Sequence, residues 1–407
     1  MSVGVCTPRC KIAGHDRKRN GQPPLLTRRG AKGAEADVPR EAAGDADEPV
    51  KMLLMNGSET RVDFARLRDF IASAFRRLGL PDDDALGIAS LMAEADLQGS
   101  DGHGVIRLAH YARRIRAGGV TLRPDIRVLQ ERSGMALIDG DNGMGHLVMA
   151  RAAELAVAKA RTAGVAWVGA RMSNHAGPAS LYVRRVLAQD MIGMYFAVGN
   201  ANHLPPWGGL EMLLSTNPIA VAFPAGKRAP IVLDMATTVA AYGKVKAKAQ
   251  RGEAMPEGWM IDREGRPLTD PNRAEEGFLL PIGGYKGYGL ALIVGLLAGT
   301  LNGAAMGKDV IDFNKDDGSV TNTGQAIVAI DVAAFGDLQA FKDRVDLLVD
   351  DLRQSRRMPQ VDRIWLPGEQ SHAKRVEWGR DGIPIAASLL RTLDQLADDL
   401  RIERLAH

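Results

Sequence analysis

Gly102-His103-Gly104, followed by Arg107, stands at the head of a helical stretch and pairs a proton carrier with a cation four residues on. If the chain is helical from His103 onward, the two side chains share one face. A guanidinium binds a carboxylate through two parallel hydrogen bonds, and an imidazole near its ordinary pKa gives or takes a proton beside it. That combination suits a 2-hydroxy or 2-oxo acid. The plainer reading makes His103 a helix cap and Arg107 a solvated surface residue. His175, in Ser173-Asn174-His175-Ala176-Gly177, follows a predicted strand and precedes a helix opened by Pro178. Strand-to-helix corners of open sheets are where ligands bind, although a lone histidine there also serves as a structural residue. Asp234 follows the apolar run Ile231-Val232-Leu233. It is either an N-cap for the next helix or a carboxylate set against His103, raising the imidazole pKa and fixing its tautomer.

A dinucleotide fingerprint needs Gly-x-Gly-x-x-Gly between strand and helix, and neither it nor a Walker lysine motif occurs. Two glycine clusters remain, Gly140-Asp141-Asn142-Gly143-Met144-Gly145 and Gly283-Gly284-Tyr285-Lys286-Gly287-Tyr288-Gly289. The second sets a lysine and bare amides at the start of an apolar helix, which would favour a phosphate. A tight turn with an exposed lysine explains it equally well.

These residues need a scaffold, and the patterning supplies one. Phe64, Leu67, Phe70, Ile71, Ala74, Phe75 and Leu78 recur at helical spacing, and Pro81-Asp82-Asp83-Asp84 starts a second helix through Ala95. A third helix is expected from His103 to about Ala117, ended by Gly118-Gly119. Strands are expected at 126–129 and 135–138, then a long helix over 145–163. Alternation follows: strand 165–169, helix 178–187, and strands 192–198, 219–223 and 231–233. Further helices start at Thr238, Gly287 and Leu338.

The 407 residues, 45% of them hydrophobic, suffice for two domains or for one body with an inserted lobe. Charge is uneven: residues 1–32 hold eight Lys/Arg against one acid, residues 33–51 two against six, leaving 42 of each sign beyond. The body is therefore neutral, and the pI near 8.8 comes from the tail rather than from a nucleic-acid surface. Residues 1–55 lack periodicity and read as a disordered extension. Their arginine content fits a targeting peptide while their acidic half does not, and a start at Met52 or Met55 is the alternative. Both cysteines, Cys6 and Cys10, lie there; with His15 they make a poor zinc set. The rest has no cysteine nucleophile, disulfide or cysteine metal site, which fits a reducing cytoplasm. The run Leu290–Leu301 is too short to span a bilayer, and no apolar signal segment is present.

The run from about Val62 to Gly368 resembles the malate/L-lactate dehydrogenase superfamily, which includes ureidoglycolate, sulfolactate and diketogulonate oxidoreductases and cyclic-imine carboxylate reductases. The matching blocks are Asp101-Gly102-His103-Gly104 with Arg107 and Tyr111, Ser173-Asn174-His175, Trp207-Gly208-Gly209, Ser215-Thr216-Asn217-Pro218, Leu233-Asp234-Met235-Ala236-Thr237, Pro281 to Leu290, and Leu366-Pro367-Gly368-Glu369. The resemblance implies an α/β, mixed-sheet, non-Rossmann fold: a helical and mixed body from 56–130 plus 310–407, and a cofactor lobe with the catalytic cleft from 131–309. It implies NAD or NADP as cofactor, a small carboxylate substrate and a homodimer. His103 would be the proton donor during reduction, Arg107 the carboxylate clamp and His175 a second active-site histidine with Asp234 nearby. Cofactor contacts would come from Asn200, Asp234, Met235, Ala236, Lys286, Gly287, Leu366, Pro367 and Gly368. One departure is Gly102, where the family usually has serine, and it bears on substrate identity. Reduction of a cyclic imine is the nearest alternative. A metal-dependent hydrolase or lyase using His103, His110, His146, His175 and His203 is a more distant one, because no His-x-x-x-His or His-Glu-x-x-His pair occurs.

Overall fold

Asp63 accepts the backbone N–H groups of Ala65 and Arg66 on one carboxylate oxygen, at 2.7 and 3.2 Å, and so starts the first helix. In the computed structural model, residues 59–100 and 102–406 are described, the side chains of 247, 250 and 251 excepted, within one compact unit, Met55–His407. The extension read as disordered, with Cys6, Cys10 and His15, lies outside the described residues, as does Asp101. Strand β1 (Thr60–Val62) precedes α1 (Phe64–Arg77), whose face of Leu67, Phe70, Ile71, Ala74 and Phe75 is buried against α2 (Asp82–Leu97). The expected helix from His103 begins later: a 3-10 turn, Val105–Arg107, leads into α3 (Leu108–Arg116). His103 and Arg107 therefore do not share a helical face.

The chain then enters a sheet. It runs through β2 (Arg127–Arg132), β3 (Met135–Gly143), α4 (Gly145–Ala163), β4 (Val165–Ser173), α5 (Ser180–Leu187) and β5 (Ile192–Ala197). A short antiparallel pair follows, β6 (Asn202–Leu204) with β7 (Leu214–Ser215), then β8 (Ile219–Phe223) and β9 (Ile231–Met235). Beyond come α6 (Tyr242–Arg251), the pair β10 (Met260–Asp262) and β11 (Gly277–Leu279), α7 (Tyr285–Ala298), β12 (Gln325–Ile330), α8 (Leu338–Gln354), α9 (Glu369–Asp381), β13 (Ile383–Ile385) and α10 (Ala387–Leu400). The helix expected from Thr238 starts at Tyr242, because Thr238 instead bridges to Pro281.

Seven strands form the main sheet in the order β2-β3-β4-β12-β5-β8-β9. Only β3 and β4 run parallel, joined through α4; all other neighbours are antiparallel. This is a mixed α/β fold and not a doubly wound parallel sheet. Its middle strand, β12, belongs to the stretch that the sequence division counts with the body. Ile327 and Ala329 of β12 pack under α4 and α5 with an alanine stripe, Ala152, Ala153, Ala156 and Ala160, that lets α4 approach closely. Ala326 and Val328 face the other way, toward Val294 and Ala298 of α7. A third core joins the first and last described elements: β1 pairs with β13, and Leu393, Leu396 and Leu400 of α10 pack with α1 to α3.

Candidate active site

The loop that carries His103 is fixed from below by Asp96 of α2, whose carboxylate accepts the Val105 N–H at 2.7 Å. That carboxylate occupies the space a side chain at 104 would need, since a Cβ on Gly104 would lie 2.0 Å from Asp96 Oδ1. A Cβ on Gly102 meets nothing within 4 Å. Gly104→Ala is accordingly expected to cost roughly 1 to 3 kcal/mol and to lower turnover by displacing His103, whereas Gly102→Ala shifts stability by under about 0.5 kcal/mol. Urea unfolding of the two variants checks this; equal stabilities would remove Asp96 as the anchor of the loop.

Arg107 reaches the site by folding back, its Nε donating to the Gly102 carbonyl at 2.8 Å. No carboxylate among the described residues pairs with it, so its two terminal amino groups remain available as a fork. The positive charge is felt nearby. The His103 pKa is lowered to about 4, first by burial and then by Arg107, and His175 is held well below the ordinary range by the same two causes, with further contributions from neighbouring histidines. Both imidazoles are neutral at neutral pH. They stack with ring centroids 5.5 Å apart and planes 11° from parallel.

The tautomer of His175 follows from its partners. Gly177 N–H donates to His175 Nδ1 at 3.3 Å, and the Tyr111 hydroxyl lies 2.6 Å from the same nitrogen. Burial pushes the Tyr111 pKa far up, so the hydroxyl keeps its proton and donates. Nδ1 is therefore an acceptor and the ring proton sits on Nε2, which has no partner among the described residues. Neither ring nitrogen of His103 has a hydrogen-bond partner among them either. Phe313 backs His175 at 5.5 Å between ring centroids and His110 at 4.6 Å. Its backbone N–H donates to the carbonyl of Asn200 at 2.8 Å, which ties that candidate cofactor residue to the segment that backs His175.

Asp234 is not the partner of His103, nor a cap for the helix after it. Its carboxylate accepts the Ser180 N–H at 2.8 Å and so covers the N-terminus of α5, the helix that follows the His175 loop. The Asp234 side chain is exposed, with protein packed around its carboxylate. That surrounding protein raises its pKa, and the bonds from Ser180 oppose the rise. Other candidate cofactor residues are tied to the same strand. Val232 N–H donates to the Pro367 carbonyl at 3.0 Å, drawing Leu366 to Gly368 against β9. Just after the strand, Ile282 N–H donates to the Thr237 carbonyl at 3.0 Å, drawing in the turn before Lys286 and Gly287. Asp234, Met235 and Ala236 lie between these two attachments. The segments fit a dinucleotide: the first N–H groups of α7 have no side-chain cap, Gly283 at φ 57° has open space beside it, and exposed Lys286 forms no ion pair among the described residues.

Of the five histidines a metal site would require, four surround this cluster. His110 accepts from Arg113 at 2.8 Å, His146 is fully buried against Tyr111, and His203 stacks on Tyr242 instead. Among the described residues no three His, Cys, Asp or Glu side chains are arranged to hold a metal ion. Sequence reasoning gave no role to Tyr111 or Phe313. It also missed buried Arg114, which bonds Ser319 O at 2.9 Å and sets its guanidinium 4.5 Å from the Phe313 ring centroid. A lone arginine in an amphipathic helix and a phenylalanine in an irregular loop carry no periodic signal.

The chain is similar to known proteins of one family. The family model described as malate/L-lactate dehydrogenase matches residues 62–394. Malate dehydrogenase of Pyrococcus horikoshii is 39% identical over 357 residues, covering 85% of this chain and 97% of that protein. L-sulfolactate dehydrogenase of Methanocaldococcus jannaschii is 35% identical over 333 residues, covering 82% and 95%. The solved structure of the Pyrococcus horikoshii enzyme superposes with a TM-score of 0.78 at 36% identity, covering 85% of this chain and 97% of that one.

Proposed function

The chain belongs to the malate/L-lactate dehydrogenase family, and from that premise we propose that His103, Arg107 and His175 carry the interconversion of a small 2-hydroxy acid and its 2-oxo acid. It is an NAD(P)-dependent oxidoreductase of such acids, and the malate and sulfolactate enzymes it is similar to mark the substrate class. The observation that carries the residue assignment is the fork of Arg107, without a carboxylate partner among the described residues, beside the stacked His103 and His175.

Arg107 binds the substrate carboxylate and fixes the reacting carbon. In oxidation, neutral His103 takes the hydroxyl proton as the C–O bond becomes a carbonyl. In reduction, His103 carries the proton and delivers it to the oxygen. The Nε2–H of His175 is a donor in both directions and stabilises negative charge on that oxygen. When bound, the nicotinamide supplies the hydride acceptor or donor. Asn200, Asp234 to Ala236, Lys286-Gly287 and Leu366 to Gly368 would hold that cofactor.

Three further assignments accompany this reading. A helical body and an inserted cofactor lobe share the cleft. A second copy of the chain covers exposed Ile293, Leu296 and Leu301 on and after α7, giving a homodimer. The protein works in the cytoplasm; the described residues contain no cysteine and no helix long and apolar enough to cross a membrane. The test is a panel of 2-oxo acids and cyclic imine carboxylates assayed with each reduced cofactor. Oxidation of either cofactor by small 2-oxo acids is expected. Turnover of imines alone would move the reading to C=N reduction by the same residues, and no turnover of either would end it.

A further inference from the structure

Beside the turn Leu366–Gly368 lies a group of arginines that the chemistry above does not use. Arg353, at the end of α8, lines an open concavity of about 300 Å³ with Arg357, Asp362, Arg363 and Ile364. Arg353 and Arg363 both pair with Glu369, the latter at 3.5 Å. Glu369 is only 6% exposed, and it closes the turn by accepting the Leu366 N–H at 3.0 Å. Two of the guanidiniums are thus held to the residue that ties off a candidate cofactor segment. Arg357 donates to the Asp362 carbonyl and has no carboxylate partner among the described residues. Three guanidiniums meet two carboxylates here, that of Asp362 in the lining and that of Glu369 paired to two of the arginines, which leaves the concavity net positive. Next to it Arg363 lies 4.2 Å from the centroid of the Trp365 ring, and that indole is 48% exposed. A flat π surface beside preoriented guanidinium forks is what a purine ribonucleotide bearing a ribose phosphate requires.

We propose that Arg353, Arg357 and Arg363 bind the 2′-phosphate of NADP(H), with the adenine packed at the exposed edge of Trp365 that the stacked Arg363 leaves uncovered, so that the enzyme prefers NADP(H) to NAD(H). This deepens the proposed function and rests on it, because the concavity adjoins the cofactor segment Leu366–Gly368. The pyrophosphate is the other phosphate that could use such a cluster, and it is common to both cofactors. That difference makes the two separable.

Arg357 is the residue to change, because it is exposed and stands outside the Glu369 network that holds the turn. NADPH and NADH are titrated by fluorescence into the wild type and Arg357→Ala, and 2′,5′-ADP and 5′-AMP by calorimetry. The wild type is expected to bind NADPH at least tenfold more tightly than NADH, and 2′,5′-ADP more tightly than 5′-AMP. Arg357→Ala should weaken NADPH at least ten times more than NADH, with an unchanged melting temperature. Equal wild-type affinity for the two cofactors overturns the proposal, as does an equal loss of both in the variant, which would assign the arginine to the pyrophosphate or to neither. If neither cofactor binds the wild type, the proposed function falls as well.

Discussion

Replacing His103 with alanine is expected to lower kcat roughly 10²- to 10⁴-fold in both directions, the usual contribution of a positioned acid or base. Cofactor affinity should hold, because the candidate cofactor segments 234–236, 286–287 and 366–368 are tied to β9 and the residues just after it, and Asn200 to Phe313, none of them to the 102–107 loop. The pH profile separates proton transfer from packing. In the ligand-free protein the His103 pKa is lowered to about 4, so the ring is a ready base through the neutral range. Oxidation should therefore run flat at neutral pH and fall only as pH drops toward that value. Reduction needs the protonated ring and should slow as pH rises. A His103→Ala variant that keeps its turnover, or whose reduction keeps the wild-type pH dependence, would exclude this residue as the proton carrier. Single-turnover measurements with saturating cofactor give the clearest reading.

The second large effect concerns Arg107. Removing one member of a hydrogen-bonded charge pair costs about 2 to 5 kcal/mol, so Arg107→Ala should lose roughly thirty- to several-thousand-fold in kcat/KM for a 2-oxo acid. A second signature comes from its coupling to His103. Burial is the larger cause of the low His103 pKa and Arg107 the smaller. Without the guanidinium the pKa rises part of the way toward 6.5, and the acid limb of oxidation should move up in pH. A bound substrate carboxylate acts in the same direction by neutralising Arg107. Binding of a 2-oxo acid to the wild type should then take up protons, seen as a buffer-dependent heat in calorimetry, and Arg107→Ala should reduce that uptake. An unshifted acid limb together with full acid binding in the variant would leave Arg107 without a role at the site.

Local pattern was enough for much of the scaffold. The helix over 145–163 is visible in the sequence because its buried alanines and valines recur at one period and Gly164, at φ 78°, ends it. The strands at 165, 192, 219 and 231 were legible because short apolar runs sit between turn residues. β12 was not: Gln325-Ala-Ile-Val-Ala-Ile330 is buried on both faces, so its sequence shows no alternation of apolar and polar residues, and its place between β4 and β5 depends on pairing with residues more than a hundred positions away. The third helix shows the same limit on a smaller scale. Spacing alone extended it back to His103, while the buried carboxylate of Asp96 holds Val105 and allows only a 3-10 turn before Leu108.

The site divides in the same way. Residue types and their order along the chain already marked His103, Arg107 and His175 and tied them to one family of chemistry, but the expected shared helical face was wrong: a 3-10 turn and the bond from Arg107 Nε to the Gly102 carbonyl set that pair instead. Which groups touch was a tertiary matter. Asp234 lies in a strand and Ser180 opens a helix 54 positions earlier, and only the sheet brings the carboxylate to that N-terminus rather than to His103. The tautomer of His175 depends on Tyr111, 64 positions away, and the gathering of Leu366–Gly368 with Asp234 depends on one hydrogen bond from Val232. Sequence fixes the chemical inventory and the local periods, because both are properties of neighbours along the chain. Protonation states, partners and the shape of the cleft follow from burial and long-range pairing, which exist only after the chain has folded.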